Sequence, residues 1–218
     1  MDGVTLYGPN WSAYVRTARL ALIEKQVRYV LEDVDFSRGA MPRAQLQRQP
    51  FGKVPALQHD DYVIYETTAI NRYIDSAFQG PALQPIEPKT LGRMNQIIAI
   101  VDAYLSADIR LGIVNEGLIK PMLGADIDQK KLQQSFESTR IGLQALSECV
   151  GSDQFLTGDK VSLADFHVAP LFDYLARTPG GSDLIKGESR LNHWWNHFSD
   201  RSSLLETEPD LSVFSDHS

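Results

Sequence analysis

The sequence predicts an α/β domain followed by an all-helical domain, on three observations. Hydrophobic periodicity alternates between strand-like and helix-like spacing up to about Ile74. A proline-rich stretch, Gln79 to Pro88, then interrupts it, and every periodic segment after that stretch is helical.

Taken in order, Val4-Thr5-Leu6-Tyr7 is a short strand closed by Gly8-Pro9-Asn10. The next segment puts Val15, Ala18, Leu22 and Val27 on one side, which is helical spacing. A second strand runs from about Arg28 to Val34, where Tyr29 and Leu31 alternate with Val30 and Glu32. A short helix near Pro42 to Arg48 follows. Ala56-Leu57-Gln58 and Tyr62-Val63-Ile64, joined by His59-Asp60-Asp61, form a hairpin, and a helix starts at Glu66 with Ile70 and Ile74 inward. The order is βαβαββα.

QGPALQPIEP carries three prolines and reads as a linker, so the expected domains are 1–79 and 89–218 with 80–88 between them. Met94, Ile97, Ile98, Val101 and Leu105 make one helical stripe; Leu132, Phe136, Leu143, Leu146 and Val150 make another, with Pro121 and Gly124 separating the two. Ser162 and Asp165 form a capping box at the start of a third helix, whose inward residues are Phe166, Leu171 and Tyr174 and which Pro170 is expected to kink. A last helix near Leu191 to Phe198 carries Trp194 and Trp195, and the tail ETEPDLSVFSDHS reads as frayed.

Composition narrows the function. With 43% hydrophobic and 22% charged residues the 218-residue chain is of ordinary globular type. Its net charge of −7, without a basic patch, argues against nucleic acid as a partner. MDGVTLYG has no signal-peptide pattern and no apolar run is long enough to span a membrane, so a cytoplasmic protein with no membrane partner is expected. Cys149 is the only cysteine, which excludes an intramolecular disulfide and any C-x-x-C motif, and it reads as a buried, inert thiol. His193 and His197 lie four apart without a third ligand, so no metal is expected, and Lys130-Lys131 reads as a solvated helix face.

Two motifs carry chemistry. In Lys53-Val54-Pro55-Ala56-Leu57 an ordinary edge-strand proline is the commoner reading, since only about 5–6% of X-Pro bonds are cis. A cis bond would turn the Val54 N–H and C=O outward, where an extended peptide can pair with them. In Tyr65-Glu66-Thr67-Thr68 the free N–H groups of a helix start suit a carboxylate, Thr67 adds a hydroxyl, and Glu66 can pair with an ammonium. The same dipole favours such residues in any first turn, and on their own the two readings stand level.

Taken together, FGKVPAL, YETTAINRYI, the linker and LTGDKVSLADFHVAPL resemble the cytosolic glutathione S-transferase superfamily along nearly the whole chain. The resemblance implies a thioredoxin-like first domain that binds glutathione and an all-helical second domain that holds the electrophile. NWSAYVR, with serine early in the first helix and the Ser12-x-x-x-Arg16 spacing, is similar to the serine-type classes, theta and its bacterial and fungal relatives. The Ser-Ser-Cys signature of zeta isomerases is absent, and serine at the active position disfavours the cysteine-type thiol transferases.

Carried over by residue, the resemblance makes Ser12 the donor that stabilises the glutathione thiolate, with Tyr7, at the end of the first strand, as its competitor. Val54, followed by Pro55, is the backbone partner of the cysteinyl unit; Glu66 and Thr67 hold the γ-glutamyl end, and Lys53 lies near the glycyl or cysteinyl part. Related enzymes often hold the glycyl carboxylate with a His-Lys pair where this chain has Ala40 and Met41, leaving Lys53 or Arg38 for that task. The electrophile pocket is expected to involve Trp11 and Tyr14 with Tyr104, Asp108 and Leu111, which share a helix face at i, i+4, i+7. Core packing explains Tyr104 and Leu111 equally well, and the capping box explains Asp165 fully.

Chemically, a free thiol has a pKa of about 8.5 and only the thiolate is a good nucleophile. Lowering that value by about two units takes about 2.7 kcal/mol of preferential anion binding, within reach of one hydroxyl and nearby N–H groups. The expected protein is a homodimeric transferase with glutathione as co-substrate. Two alternatives stand beside it: peroxide reduction or ether-cleaving lyase chemistry at the same site, and a non-catalytic glutathione-binding or protein-interaction module.

Overall fold

The computed structural model describes residues 3–35 and 39–215 and divides into two compact units. The first comprises Met1–Gln84 and Ser202–Asp210, the second Pro85–Arg201 and Leu211–Ser218.

In the first unit β1 (Val4–Tyr7), α1 (Ala13–Glu24), β2 (Val30–Glu32), α2 (Arg43–Arg48), β3 (Ala56–His59), β4 (Tyr62–Tyr65) and α3 (Thr67–Ala77) follow in the expected order. The sheet order is β2-β1-β3-β4, with β1 parallel to β2 and antiparallel to β3, and β3 antiparallel to β4. The register aligns Leu6, Leu57 and Ile64 across three strands and, one residue away, Tyr7, Ala56 and Tyr65. Neighbours in a strand face opposite ways, so the two rows serve two layers. Leu6 and Leu57 are fully buried on the side where α1 and α3 pack. Tyr7 and Ala56 join Val34, with Met41, Val54 and Tyr65, in a smaller cluster. That cluster brings the Val54 loop up to the end of β1.

Some boundaries differ from expectation. Helix α1 stops at Glu24 because Gln26 takes φ +55°, which leaves Val27 outside the helix, and β2 is shorter than the predicted strand. Residues at the start of the expected linker belong to the first unit. The buried Lys25 ammonium donates to the Asp75 carbonyl, the Asp75 carboxylate and the Pro81 carbonyl, and Asp75 also accepts from Leu83 N–H and Gln84 Nε2.

The tail differs most. It was expected to fray at the end of the helical domain, yet α10 (Ser202–Glu206) and the residues after it return to α1. Arg16, 1% exposed, donates from Nε to the Thr207 carbonyl at 2.8 Å; Arg19 Nη2 donates to the Glu206 carbonyl and Ser203 Oγ to Glu24. Thr207 is fully buried. A guanidinium taken out of water needs such acceptors, and nothing local announces them.

In the second unit α4 (Pro88–Ile100) runs on through π-helical stretches at Val101–Leu105 and Asp108–Ile119 to α5 (Lys120–Met122). The predicted stripe Met94, Ile97, Ile98, Val101 and Leu105 is buried throughout and extends to Ile109 and Ile113. Gly112 lets this run approach α6 (Gln129–Cys149), because a Cβ there would collide with the Ser135 side chain. Cys149 is half-buried and forms no disulfide. Helix α7 (Leu163–Arg177) starts at the predicted capping box and continues through Pro170. The buried Asp165 carboxylate accepts from Leu156 N–H, Ser162 N–H, Ser162 Oγ and Trp194 Nε1, so one side chain ties the cap to α9 (Ser189–Phe198). The short α8 (Gly181–Gly187) lies between them. Among the described residues no helix is long and apolar enough to cross a membrane.

Candidate active site

The site is built where β1 hands the chain to α1. Ser12 is the N-cap of α1, with extended backbone (φ −71°, ψ 123°), and its Oγ accepts from Val15 N–H at 3.4 Å. That bond is long, so the cap is a weak one. A hydroxyl that accepts still has its own hydrogen to donate, and here it sits among the N–H groups of the first turn, at the positive end of the helix dipole. An anion beside Ser12 would meet that hydrogen and that field together.

Gly8 explains what comes next to the first turn of α1. Its φ is +146°, and a Cβ on it would lie 2.5 Å from Val15 Cγ2 and 3.1 Å from Val54 Cβ. Only a glycine lets the end of β1 pass between the first turn of α1 and the Val54 loop. Val54 and the first turn of α1, which Ser12 caps, approach the same glycine for that reason. The Val54-Pro55 bond is cis, the rarer of the two readings left open by the sequence.

Two side chains that the sequence did not mark hold this loop. Gln45 on α2 donates from Nε2 to the Lys53 carbonyl at 2.9 Å, and Lys53 N–H donates to Gln49 Oε1 at 3.0 Å. Both glutamines are 1% exposed. Their spacing of four was a visible signal; their burial was not, because glutamine on a short helix normally faces water.

The start of α3 supplies the third part. Glu66 is its N-cap and makes no side-chain cap bond; its φ of +70° is uncommon for a residue with a Cβ and is found most often where function holds it. Its side chain is exposed while Thr67 is buried, so the carboxylate is presented and the hydroxyl is set into the fold. Lys53 is exposed.

Tyr7 is withdrawn from competition. Its hydroxyl donates to Gln58 Oε1 at 2.9 Å, its ring lies under the Arg48 guanidinium at 3.7 Å, and it is 6% exposed. Ala40 is exposed and Met41 packs against the Tyr7 cluster, so neither holds a carboxylate; Arg38 lies outside the described residues.

Of the residues expected at the electrophile pocket, Trp11 and Tyr14 are half-buried at the start of α1. In the second unit Tyr104 and Asp108 line one groove of about 480 Å³ with Ile100, Ser138, Ile141 and Ala145. Leu111 is not part of that lining. Tyr104 is 70% and Leu111 55% exposed, which corrects the core-packing reading of both. The His193 and His197 rings lie 4.5 Å apart on the exposed side of α9, and His197 Nδ1 is bonded to the His193 carbonyl.

Comparison with known proteins agrees with this arrangement. The glutathione S-transferase N-terminal domain family matches residues 6–82, and the C-terminal domain family matches residues 93–202. Glutathione S-transferase F10 of Arabidopsis thaliana is 31% identical over 213 residues, covering 96% of this chain and 98% of that protein. The crystal structure of glutathione transferase F2 from Populus trichocarpa superposes with a TM-score of 0.84 at 27% identity, covering 94% of this chain and 96% of that one. Glutathione S-transferase I bound with lactoylglutathione superposes with a TM-score of 0.81 at 25% identity over 94% and 98% of the two chains. A thioredoxin-like first domain with a cis-proline loop before β3, a helical second domain, and family matches to each place the chain: it belongs to the glutathione S-transferase family.

Proposed function

We propose that this transferase conjugates the thiolate of glutathione to apolar electrophiles, with Ser12 as the hydrogen-bond donor to the sulfur. The observation that supports the reading is the approach of Val54 and of Val15, in the first turn that Ser12 caps, to the two sides of Gly8. In this reading the Val54 backbone pairs with the cysteinyl unit, which puts the thiol beside Ser12. The N–H groups of α3, with Thr67, take the γ-glutamyl carboxylate, and the Glu66 carboxylate takes its ammonium. Lys53, exposed beside Val54, is the cation for the glycyl end. Ser12 keeps its proton throughout and acts as donor, not base. A structure bound to lactoylglutathione among the similar proteins supports glutathione as the ligand. The F-series relatives support a serine-type class close to those plant enzymes more directly than a theta-like one.

The groove lined by Tyr104 and Asp108 in the second unit is assigned to the electrophile, and a homodimer is part of the proposal. Phe51, 70% exposed, is a large apolar side chain that a second copy would cover. Sedimentation of the purified protein decides between monomer and dimer.

The test is conjugation of glutathione to a halogenated aromatic, measured on the unmodified protein and on Ser12→Ala. Ser12→Ala is expected to lower kcat by about 10²-fold or more and to move the pH dependence of kcat/KM up toward the free-thiol value of about 8.5. Unchanged turnover would remove Ser12 from the mechanism. Turnover of hydroperoxides without aryl halides would move the reading to peroxide reduction at the same site.

A further inference from the structure

Gln45 and Gln49 grip both backbone groups of Lys53, the residue before Val54. The acceptor and the donor of one loop residue are taken by two side-chain amides of a helix and its C-cap, where sheet or water would ordinarily serve. The two bonds do different things. The Lys53 carbonyl belongs to the same peptide plane as the Val54 N–H, and in a trans peptide these two groups point in opposite directions. Gln45, by drawing the Lys53 carbonyl toward α2, turns the Val54 N–H away from α2.

The way Gln45 is buried shows that packing alone does not explain it. Its Oε1 is buried and has no partner among the described residues. The amide is not free to turn and relieve this, since the exchange would set Oε1 against the Lys53 carbonyl, lone pair to lone pair. An apolar side chain of the same size would fill the position without that unpaired acceptor. What an apolar side chain cannot do is hold the carbonyl.

We infer that Gln45 is a positioning residue for glutathione: it fixes the direction of the Val54 N–H, and Gln49 fixes the preceding peptide. This rests on the reading of Val54 as the backbone partner of the glutathione cysteinyl unit. Neither glutamine touches the ligand or the sulfur, so their effect falls on binding and not on the chemical step.

Gln45→Leu and the isosteric Gln45→Glu test this, because both lose the donor and the second also faces the carbonyl with an oxygen. Each is expected to raise the KM and the Kd for glutathione about tenfold, while kcat at saturating glutathione and its pH profile stay within about twofold. Gln45→Leu removes an unpaired buried acceptor but leaves the Lys53 carbonyl without its donor, so it is expected to lower the melting temperature by no more than a few degrees. Gln49→Glu keeps an oxygen facing Lys53 N–H and is expected to keep its glutathione affinity within about twofold, which makes the pair of Gln→Glu changes asymmetric. Should Gln45→Leu not fold, Gln45→Met goes through the same titration. An unchanged Kd in the Gln45 variants, equal losses in Gln45→Glu and Gln49→Glu, or a fall of kcat together with the melting temperature overturns the inference. Failure of the unmodified protein to bind glutathione overturns the proposed function along with it; binding that the Gln45 variants leave unaltered overturns this inference alone.

Discussion

Single atoms carry much of this site. Ser12 Oγ caps a helix through one long bond and still has a hydrogen to give, so under the proposed function one position serves both as cap and as donor. Gly8 shows how little room there is beside it. Gly8→Ala adds one methyl group at φ +146°, 2.5 Å from Val15 and 3.1 Å from Val54, and one of the three must move. The variant is expected to lose about 1–3 kcal/mol of stability, from positive-φ strain and overpacking, and to bind glutathione at least about tenfold more weakly. Thermal melting and a glutathione titration measure the two effects; unaltered affinity would mean that the β1 turn does not set the site. Ser12, Val54, Glu66 and Thr67 were legible as motif positions. Gly8 and the two glutamines were not: Gly8 matters through Val54, far along the chain, and the glutamines through burial that periodicity on a short helix does not show.

Among the elements, the join between the second π-helical stretch and α6 is held by one carboxylate. Glu116, 1% exposed, meets Lys120 Nζ at 2.6 Å, Asp128 N–H at 3.0 Å and Lys131 Nζ at 3.1 Å. The bond from Lys120, followed by that from Asp128 N–H, pulls its pKa from 4.5 to about 2 against the opposing effect of burial. A carboxylate with a depressed folded-state pKa stabilises the fold fully above its unfolded value, and that contribution is lost as pH falls through the folded value. Stability is therefore expected to decline between about pH 4.5 and pH 2 through this group. Glu116→Gln should cost about 1–3 kcal/mol near neutral pH and make the acid limb shallower. Denaturant melts at several pH values test this, and an equally steep acid limb in the variant would move the effect to other carboxylates. Helix periodicity had located both elements, since Leu143, Leu146 and the Met94 to Leu105 stripe are buried as spaced. A buried glutamate on a helix carries no periodic signal; only its partners beyond its own helical stretch, Lys120 and the start of α6, show it.

At the scale of the molecule, one segment near the end, Ser202–Asp210, leaves the second unit and joins the first. Arg16, Arg19 and Glu24 on α1 take the Ser202–Asp210 segment, and Arg16 is buried by it. Ending the chain after Arg201 would remove the acceptor of the Arg16 Nε–H and open the covered side of α1. The shortened protein is expected to lose about 3 kcal/mol or more, with weakened glutathione binding, as judged by melting temperature and titration. A melting temperature within a degree or two of the full chain, about the shift of a fraction of 1 kcal/mol, would show that the return segment only covers α1.

By itself the sequence determined the order of strands and helices, the division near the proline-rich stretch and the capping box. Each of these follows from local chemistry: side-chain period, turn residues and caps act over a few neighbours. The tertiary structure decided the cis state of Val54-Pro55, the withdrawal of Tyr7 into a bond with Gln58, the burial of Gln45, Gln49 and Glu116, and the return of the tail to Arg16. The physical reason is shared. A polar or charged side chain is buried only where a partner satisfies most of it, and these partners lie in other segments, as far as 191 positions away for Arg16 and Thr207. Periodicity tells which face of an element avoids water; it does not say what will cover that face.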